Sequence, residues 1–324
     1  MKITLYGAGA IGGHIAARLA KQGADVSVIA RGTQLAAIQR NGLTIQAPDA
    51  TFTTKIRATD DPASLGKQDA VLVTVKAPSL PQIAAGIAPL LAPHTKVAFI
   101  QNGIPWWYFD GIEGPLAGTH LPLVDPGDAI RAAVGPARAI GGVVNSACTV
   151  IEPGVIQVAN ARSSLILGTP DGSLPPELTA IATALDQPAY ACTTTPRIRD
   201  AVWTKLFGNL CSGAIVSLAN AAPIDAFADP ILQSAARRIV AEAHSLATTL
   251  GATPSLDLDS MMRGLSKMTH RPSILQDLQL GRPMEIDGIN TITLHLAQLA
   301  GVPMPTLELL VALLKLRARA AGLY

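Results

Sequence analysis

Two hydrophobic rhythms alternate along the first hundred residues. Short, nearly unbroken apolar runs read as strands: "KITLYG", "ADVSVIAR", "DAVLVTVKA" and "TKVAFIQNG". Between them lie segments with helical spacing. Residues 10–22 put Ile11, Ala16, Leu19 and Ala20 on one face, "TQLAAIQRNG" closes at a glycine, and "SLPQIAAGIAPLL" follows the third run. Strands that are apolar on both faces, alternating with helices, predict a parallel sheet covered on both sides. Residues 140–193 are β-like in "AIGGVVNSACTVI", "GVIQVAN" and "SSLILG", with one helix in "PPELTAIATALDQ". After Thr193 the pattern is helical to the end, in "TTPRIRDAVWTKL", "DPILQSAARRIVAEAHSLATTLG" and "PTLELLVALLKLRARAAG". The pattern therefore predicts an α/β domain over residues 1–195 and an all-helical domain over residues 196–324.

Composition narrows the picture. Of 324 residues, 49% are hydrophobic and 15% charged, enough to build sizeable cores and too apolar for a disordered chain. A net charge of +2, with no basic stripe interleaved with aromatics, gives no case for nucleic acid or an anionic membrane. Two stretches imitate targeting signals. The lysine-led apolar N-terminus is better explained by a strand running into glycines. Residues 206–224 approach the length of a membrane span, but contain Asn209, Ser212, Ser217, Asn220 and Pro223, which favours a buried helix. The expectation is a soluble cytoplasmic protein. Cys148, Cys192 and Cys211 lack any CxxC spacing and read as reduced core thiols, a reactive Cys211 being the alternative. No His, Cys or carboxylate cluster has metal-ligand spacing, so no metal is expected.

"GAGAIG" places Gly7, Gly9 and Gly12 directly after a strand and at the opening of a helix. The first glycine permits a tight turn, the second lets backbone approach a pyrophosphate, and the third lets helix and strand pack closely. Ala10 and Ile11 then offer helix N-terminal N–H groups and the positive end of the helix dipole to the phosphates. This is the signature of a dinucleotide site; the alternative is a purely structural turn. The end of the second strand selects between cofactors. It reads "VIARG", so Arg31 stands where an acidic residue would take the ribose hydroxyls of NAD. A guanidinium suits a 2′-phosphate, which favours NADP(H), unless Arg31 is simply a surface arginine. Asp25 comes too early for the acidic role. Lys76 and Asn102 each follow a strand, where open α/β sheets bind ligands.

In the helical part, Lys205 and Asn209 lie four apart and share a helix face, which Ser212 and Gly213 continue. The arrangement is either a lysine snorkelling from a buried helix, or an ammonium held in apolar surroundings to protonate a developing alkoxide. A second cluster, "HRPSILQDLQLGRPMEIDGIN", carries Ser273, Asp277, Glu285 and Asp287. Glu285 sits among apolar residues as if aimed at a cation, and Arg282 is a candidate partner for it.

Taken together, "GAGAIG", Arg31, "VKA" with Lys76, "QNG" with Asn102, "WTKLFGN" with Lys205 and Asn209, and "SILQDLQLGRPMEID" with Ser273 and Glu285 resemble the ketopantoate reductases (2-dehydropantoate 2-reductases) over nearly the whole chain. The resemblance implies a Rossmann-type dinucleotide-binding domain followed by a helical one, and reduction of a 2-keto acid with NADPH in pantothenate biosynthesis. It implies Lys205 as general acid and substrate anchor, and Asn209 and Ser273 as substrate contacts. Glu285 would orient Lys205, bind a substrate hydroxyl or meet the cofactor. Asn102 would lie near nicotinamide and substrate, and the Ala147 backbone near the cofactor.

Two positions depart from that pattern. Gly213 stands where a further asparagine is common, and His270 where an asparagine often precedes the serine; His270 reads as a substrate ligand or a structural histidine. Trp106 and Trp107 add bulk after Asn102, to roof a pocket or to pack in a subunit contact. These departures keep open a reductase for another keto acid. A protein that only sensed NADP(H) would need neither Lys205 nor Glu285. Helical domains of this type often mediate homodimers, though no sequence feature fixes an interface.

Overall fold

The computed structural model describes all 324 residues, and they form two compact units. One comprises Met1–Gln101 and Pro105–Ile198; the other comprises Asn102–Ile104 and Arg199–Tyr324. The helical unit thus takes three residues from the end of a strand in the first half, and the changeover falls at Ile198 and Arg199.

The first unit runs β1 (Lys2–Tyr6), α1 (Ala10–Lys21), β2 (Asp25–Ile29), α2 (Gly32–Asn41), β3 (Leu43–Gln46), β4 (Thr51–Thr54), β5 (Arg57–Thr59), β6 (Gln68–Val73), α3 (Leu80–Ile87) and β7 (Leu91–Ile100). It continues through α4 (Ala129–Val134), β8 (Ala139–Asn145), β9 (Cys148–Glu152), β10 (Val155–Val158), β11 (Ser163–Gly168), α5 (Pro176–Leu185) and β12 (Tyr190–Thr194). Eight strands make the main sheet, in the order β12-β11-β8-β7-β6-β1-β2-β5. From β5 to β8 all neighbours are parallel, as the apolar runs predict. β11 pairs antiparallel to β8, and β12 runs parallel to β11, so this edge of the sheet is reversed.

The strand pattern did not predict a second sheet, β4-β3-β10-β9. Its strands come from two hairpins a hundred residues apart in sequence, joined by parallel pairing of β3 with β10. Helix α1 packs on both sheets. Gly13 makes this contact close, since a Cβ there would stand 2.3 Å from Ile156 Cδ1. Loop residues Trp106 and Trp107 belong to the core of this unit, each 1% exposed. Trp106 meets Phe99 edge-on at 5.4 Å and has the Arg131 guanidinium over its ring. The Trp107 ring lies against Gly141. Neither side chain roofs a pocket or waits for a subunit contact; their apolar area is spent on folding.

The second unit contains α6 (Ile198–Ala219), α7 (Pro223–Ala226), α8 (Pro230–Thr249), α9 (Leu258–Leu265), α10 (Ser273–Gln279), α11 (Ile292–Ala300) and α12 (Pro305–Ala320), with α6 starting at the last residue of the first unit. Helix α8 buries Ala236, Ile239, Val240, Ala243, Leu246 and Ala247, one continuous stripe at helical spacing. Asp229 caps it by accepting from the Ile231 and Leu232 N–H groups. α8 packs on α9, α11 and α12. Helix α6 is long and apolar enough to cross a membrane, yet 67% of that window is buried inside the protein. It is a core helix, with Trp203, Phe207, Leu210 and Cys211 fully buried.

Candidate active site

The glycine turn lies where the strand order reverses. From β1 the chain passes through α1 to β2 on one side, then returns to β6 on the other, which is where open α/β sheets receive ligands. Gly7 has φ +109°, a conformation that penalises any side chain. A Cβ at Gly12 would stand 2.0 Å from the Gly7 carbonyl oxygen and 2.3 Å from Thr74 Oγ1, so only glycine allows this closure. Gly9 differs: a Cβ there would meet nothing within 4 Å. The space over Gly9 is left by the fold, and Gly9 gives α1 no side-chain cap. The first N–H groups of α1, at Ala10 and Ile11, therefore have no side-chain acceptor of their own, the condition that suits an anion.

Three residues that the sequence did not single out hold this turn and its surroundings. Thr74 Oγ1 donates to the Gly7 carbonyl at 2.8 Å. Gln34 Nε2 donates to the Ala8 carbonyl at 2.7 Å, while its Oε1 accepts from Gly154 N at 3.0 Å, tying the turn to the β9–β10 hairpin. Gln82 Oε1 accepts from Arg31 Nη1 at 3.3 Å. No local sequence signal marks them, because each acts across 50 or more residues or through a glutamine in a helical run.

A pocket of about 410 Å³ opens beside the turn, lined among others by Gly7, Gly9, Arg31, Gln34, Gln82 and Val150. Arg31 is exposed at its rim and is the N-cap residue of α2. Beneath it, burial raises the Tyr6 hydroxyl above its ordinary pKa, with the Arg31 charge pulling the other way. Lys76 is exposed and starts a short turn, Ala77–Ser79, after β6. Ala147 is engaged within its own unit: its N–H donates to Asn160 Oδ1 at 2.8 Å and its carbonyl accepts from Ala159 N.

In the second unit, Lys205 and Asn209 are both half-buried on α6, one turn apart. One turn further on, a Cβ at Gly213 would stand 3.3 Å from Ile274 Cγ2. Gly213 is thus where α6 meets the first turn of α10, and Ser273, exposed, begins that helix. His270 is exposed, three residues before it. Glu285 is half-buried between buried Met284 and Ile286. Arg282 turns back on Asp277, with Nε 3.0 Å from its carboxylate. Asn102 joins the same unit: the Ile104 N–H donates to the Gly288 carbonyl, and a Cβ at Gly103 would collide with that oxygen at 1.8 Å. This brings Asn102 beside the wide π-type turn Asp287–Thr291 that follows Glu285. Asn102 Oδ1 is buried with no hydrogen-bond partner, an acceptor that a ligand donor would satisfy. Cys211 does not enter this chemistry: complete burial pushes its thiol up to about 12, and burial, then Asp186, does the same at Cys192.

Family models match in two blocks: ketopantoate reductase PanE/ApbA over residues 3–172, and its C-terminal domain over residues 197–318. The chain belongs to the ketopantoate reductase family. It is 40% identical to a 2-dehydropantoate 2-reductase of Mesorhizobium japonicum across the full length of both chains. The crystal structure of 2-dehydropantoate 2-reductase from Geobacter metallireducens superposes with a TM-score of 0.86 at 27% identity, covering 98% of this chain and 99% of that one. A D-mandelate dehydrogenase solved with NADH and anilino(oxo)acetate shares the fold, with a TM-score of 0.83 at 19% identity over the whole of both chains. Ketopantoate reductases are NAD(P)-dependent oxidoreductases, and the turn over Gly9 suits the pyrophosphate of such a cofactor.

Proposed function

We propose that the protein reduces 2-dehydropantoate (ketopantoate) to pantoate with NADPH. The observation that carries this reading is the end-to-end identity of 40% to a 2-dehydropantoate 2-reductase. The open face of Gly9 and the uncapped start of α1 support the cofactor part of it. The Gly7–Gly12 turn, with the Ala10 and Ile11 N–H groups, holds the pyrophosphate. Arg31, supported by Gln82, pairs with the 2′-phosphate, and Lys76 and Asn102 contact the cofactor further along. Bound NADPH supplies the hydride. Lys205 anchors the substrate carboxylate and delivers a proton to the carbonyl oxygen as it gains charge. Asn209, Ser273 and His270 hold the substrate, and Glu285 orients the Lys205 ammonium.

A second reading, a different 2-keto acid, rests on one contact. At Gly213 the α6 face carries no side chain and meets the Ile274 methyl, so this point offers a substrate hydroxyl nothing to bond. The test is turnover of ketopantoate and a panel of other 2-keto acids, followed by NADPH absorbance, with NADH alongside and Lys205→Ala as control. Ketopantoate turnover with NADPH, much weaker with NADH and reduced ~10²–10⁴-fold in the variant, is expected for a lost general acid. Another keto acid turned over faster would replace the substrate, and equal use of NADH would remove the role of Arg31.

A further inference from the structure

Glu285 has no helix or strand of its own to hold it. Between α10 and the turn Asp287–Thr291, the chain is irregular over residues 282–286. Where its carboxylate sits therefore depends on what grips the chain on either side.

The grip comes from α12, which is itself fixed. Leu307, Val311, Leu314 and Ala318 bury one face of that helix. At its start the Glu242 carboxylate of α8 accepts from the Thr306 and Leu307 N–H groups, at 2.9 and 3.1 Å. At its end the chain reverses in a Schellman turn: Gly322, at φ +70°, donates to the Arg319 carbonyl, and Leu323 to the Ala318 carbonyl. The reversal delivers Leu323 and Tyr324 to the segment that carries Glu285. The Leu323 carbonyl accepts from the Met284 N–H at 3.1 Å, immediately before Glu285. The Tyr324 hydroxyl donates to Asp287 Oδ1 at 2.8 Å, just after it, and Lys315 Nζ stands 3.6 Å from the same oxygen. Lys315 and Arg319, one turn apart on α12, both lie over the Tyr324 ring, 5.5 and 5.3 Å from its centroid, and seat it. Arg282 is paired with Asp277 instead. Met284 and Ile286 are 6% and 0% exposed, which leaves half-buried Glu285 between two anchored neighbours. Tyr324 and Asp287 are themselves exposed, so their contact adds little to global stability. What it fixes is the place of the residue it brackets.

We propose that Leu323, Tyr324 and Lys315 strap the Met284–Asp287 segment to α12, and that Tyr324 and Asp287 are positioning residues for Glu285. The inference rests on the reading of Glu285 as the group that orients the Lys205 ammonium. A displaced carboxylate turns that ammonium away from the carbonyl oxygen it protonates, and a misplacement of about 1 Å can cost ~10²-fold in rate.

The experiment measures kcat and KM for ketopantoate with NADPH, or for whichever 2-keto acid the wild type turns over best. The full-chain variants are Tyr324→Phe, Asp287→Ala, Asp287→Asn and Glu285→Ala, with Tyr324→Phe and Asp287→Ala each also combined with Glu285→Ala. Melting temperatures and hydrogen exchange at the Met284 and Ile286 N–H groups accompany them. Tyr324→Phe should lower kcat roughly threefold to tenfold, and Asp287→Ala further, with KM for NADPH and the melting temperature unchanged. Asp287→Asn keeps an oxygen for the Tyr324 hydroxyl and should recover most of the loss. Exchange at Met284 and Ile286 should accelerate in Tyr324→Phe. With Glu285→Ala in the background, neither strap variant should lower kcat again, because no carboxylate is left to misplace. Full kcat in both strap variants beside a slow Glu285→Ala overturns the strap and leaves the reading of Glu285 standing. A Glu285→Ala enzyme as fast as wild type removes that reading and the strap with it. Equal fold losses with and without Glu285, or unchanged exchange at Met284 and Ile286, also overturn the strap, since Tyr324 and Asp287 would then act elsewhere.

Discussion

His14 shows how much a single residue of the nucleotide-binding helix depends on distant partners. It is 1% exposed. Arg18 Nε donates to its Nε2 at 3.2 Å, so Nδ1 carries the proton and donates to Ser146 Oγ at 3.2 Å. Arg18 in turn makes a two-pronged pair with Asp49, both bonds 2.7 Å. Burial first, and the Arg18 charge second, lower the His14 pKa from 6.5 to about 4, with Asp49 opposing. The sign follows from proton counting. Between those values the unfolded chain binds a proton that the folded one refuses, so stability falls as the pH drops from 6.5 toward 4. From pH 7 to pH 5 this one group should remove about 2 kcal/mol. Urea unfolding of wild type and His14→Gln at both pH values checks it: the variant should lose less on acidification, and equal losses would sink the assignment. What is set locally is legible in the sequence, such as the placing of Gly7 and Gly12 at a strand–helix junction or of Lys205 and Asn209 one turn apart on α6. His14, Gln34 and Thr74 are not legible, because their partners lie 132, 120 and 67 residues away.

At the scale of elements, glycines separate what pattern can reveal from what only packing can. Gly141 in β8 reads as part of a β-like run, and glycine in a strand interior is ordinarily a weakness. Here a Cβ would stand 2.3 Å from Trp107 Cζ2 and 2.8 Å from Ile198 Cγ1, so the missing side chain is the slot for the indole. Gly264 in α9 has nothing within 4 Å of its Cβ position and no positive φ. The same substitution should therefore act in opposite directions. Gly141→Ala should destabilise by about 1–3 kcal/mol through overpacking, whereas Gly264→Ala should stabilise by up to about 1 kcal/mol through helix propensity. Denaturation midpoints of the two variants against wild type decide it. The same distinction explains which elements the chain advertises. β1, β2, β6 and β7 are buried runs between helices and stand out in the sequence. β4 is "TFTT", half exposed, and its sheet is completed only by a hairpin a hundred residues later, so periodicity gives no warning of it. The long helices α6, α8 and α12 were plain from their spacing, while α10 and the π-type turn after Glu285 are too short to carry a period.

At the scale of the whole molecule, the division between the two units is not one cut in the sequence. Residues 102–104 leave the end of β7 and fold with the helices. Ile104 is 2% exposed, its N–H bonds to the Gly288 carbonyl, and Gly103, at φ +87°, allows the two backbones to touch. A reading by composition assigns "QNG" to the α/β half, since it directly follows a strand, and cannot detect that the packing partner of Gly103, Gly288, lies 185 residues further on. The consequence is testable in the full chain. Ile104→Ala removes buried side-chain volume and should cost about 2–5 kcal/mol, and the cost should fall on the helical unit even though the residue is encoded beside β7. Hydrogen exchange is the appropriate measurement, because it reads stability locally. Exchange should accelerate at Asn290 and Thr291, whose N–H groups bond to the Ile286 carbonyl. It should stay slow in the β6–β7 ladder. Acceleration in that ladder instead, with the Asp287–Thr291 turn unchanged, would mean that Ile104 is held by the strand it follows. Residues 102–104 would then belong energetically to the α/β unit. The expected result would instead make the Asp287–Thr291 turn, and with it the setting of Asn102 and Glu285, dependent on a segment from the other half of the sequence.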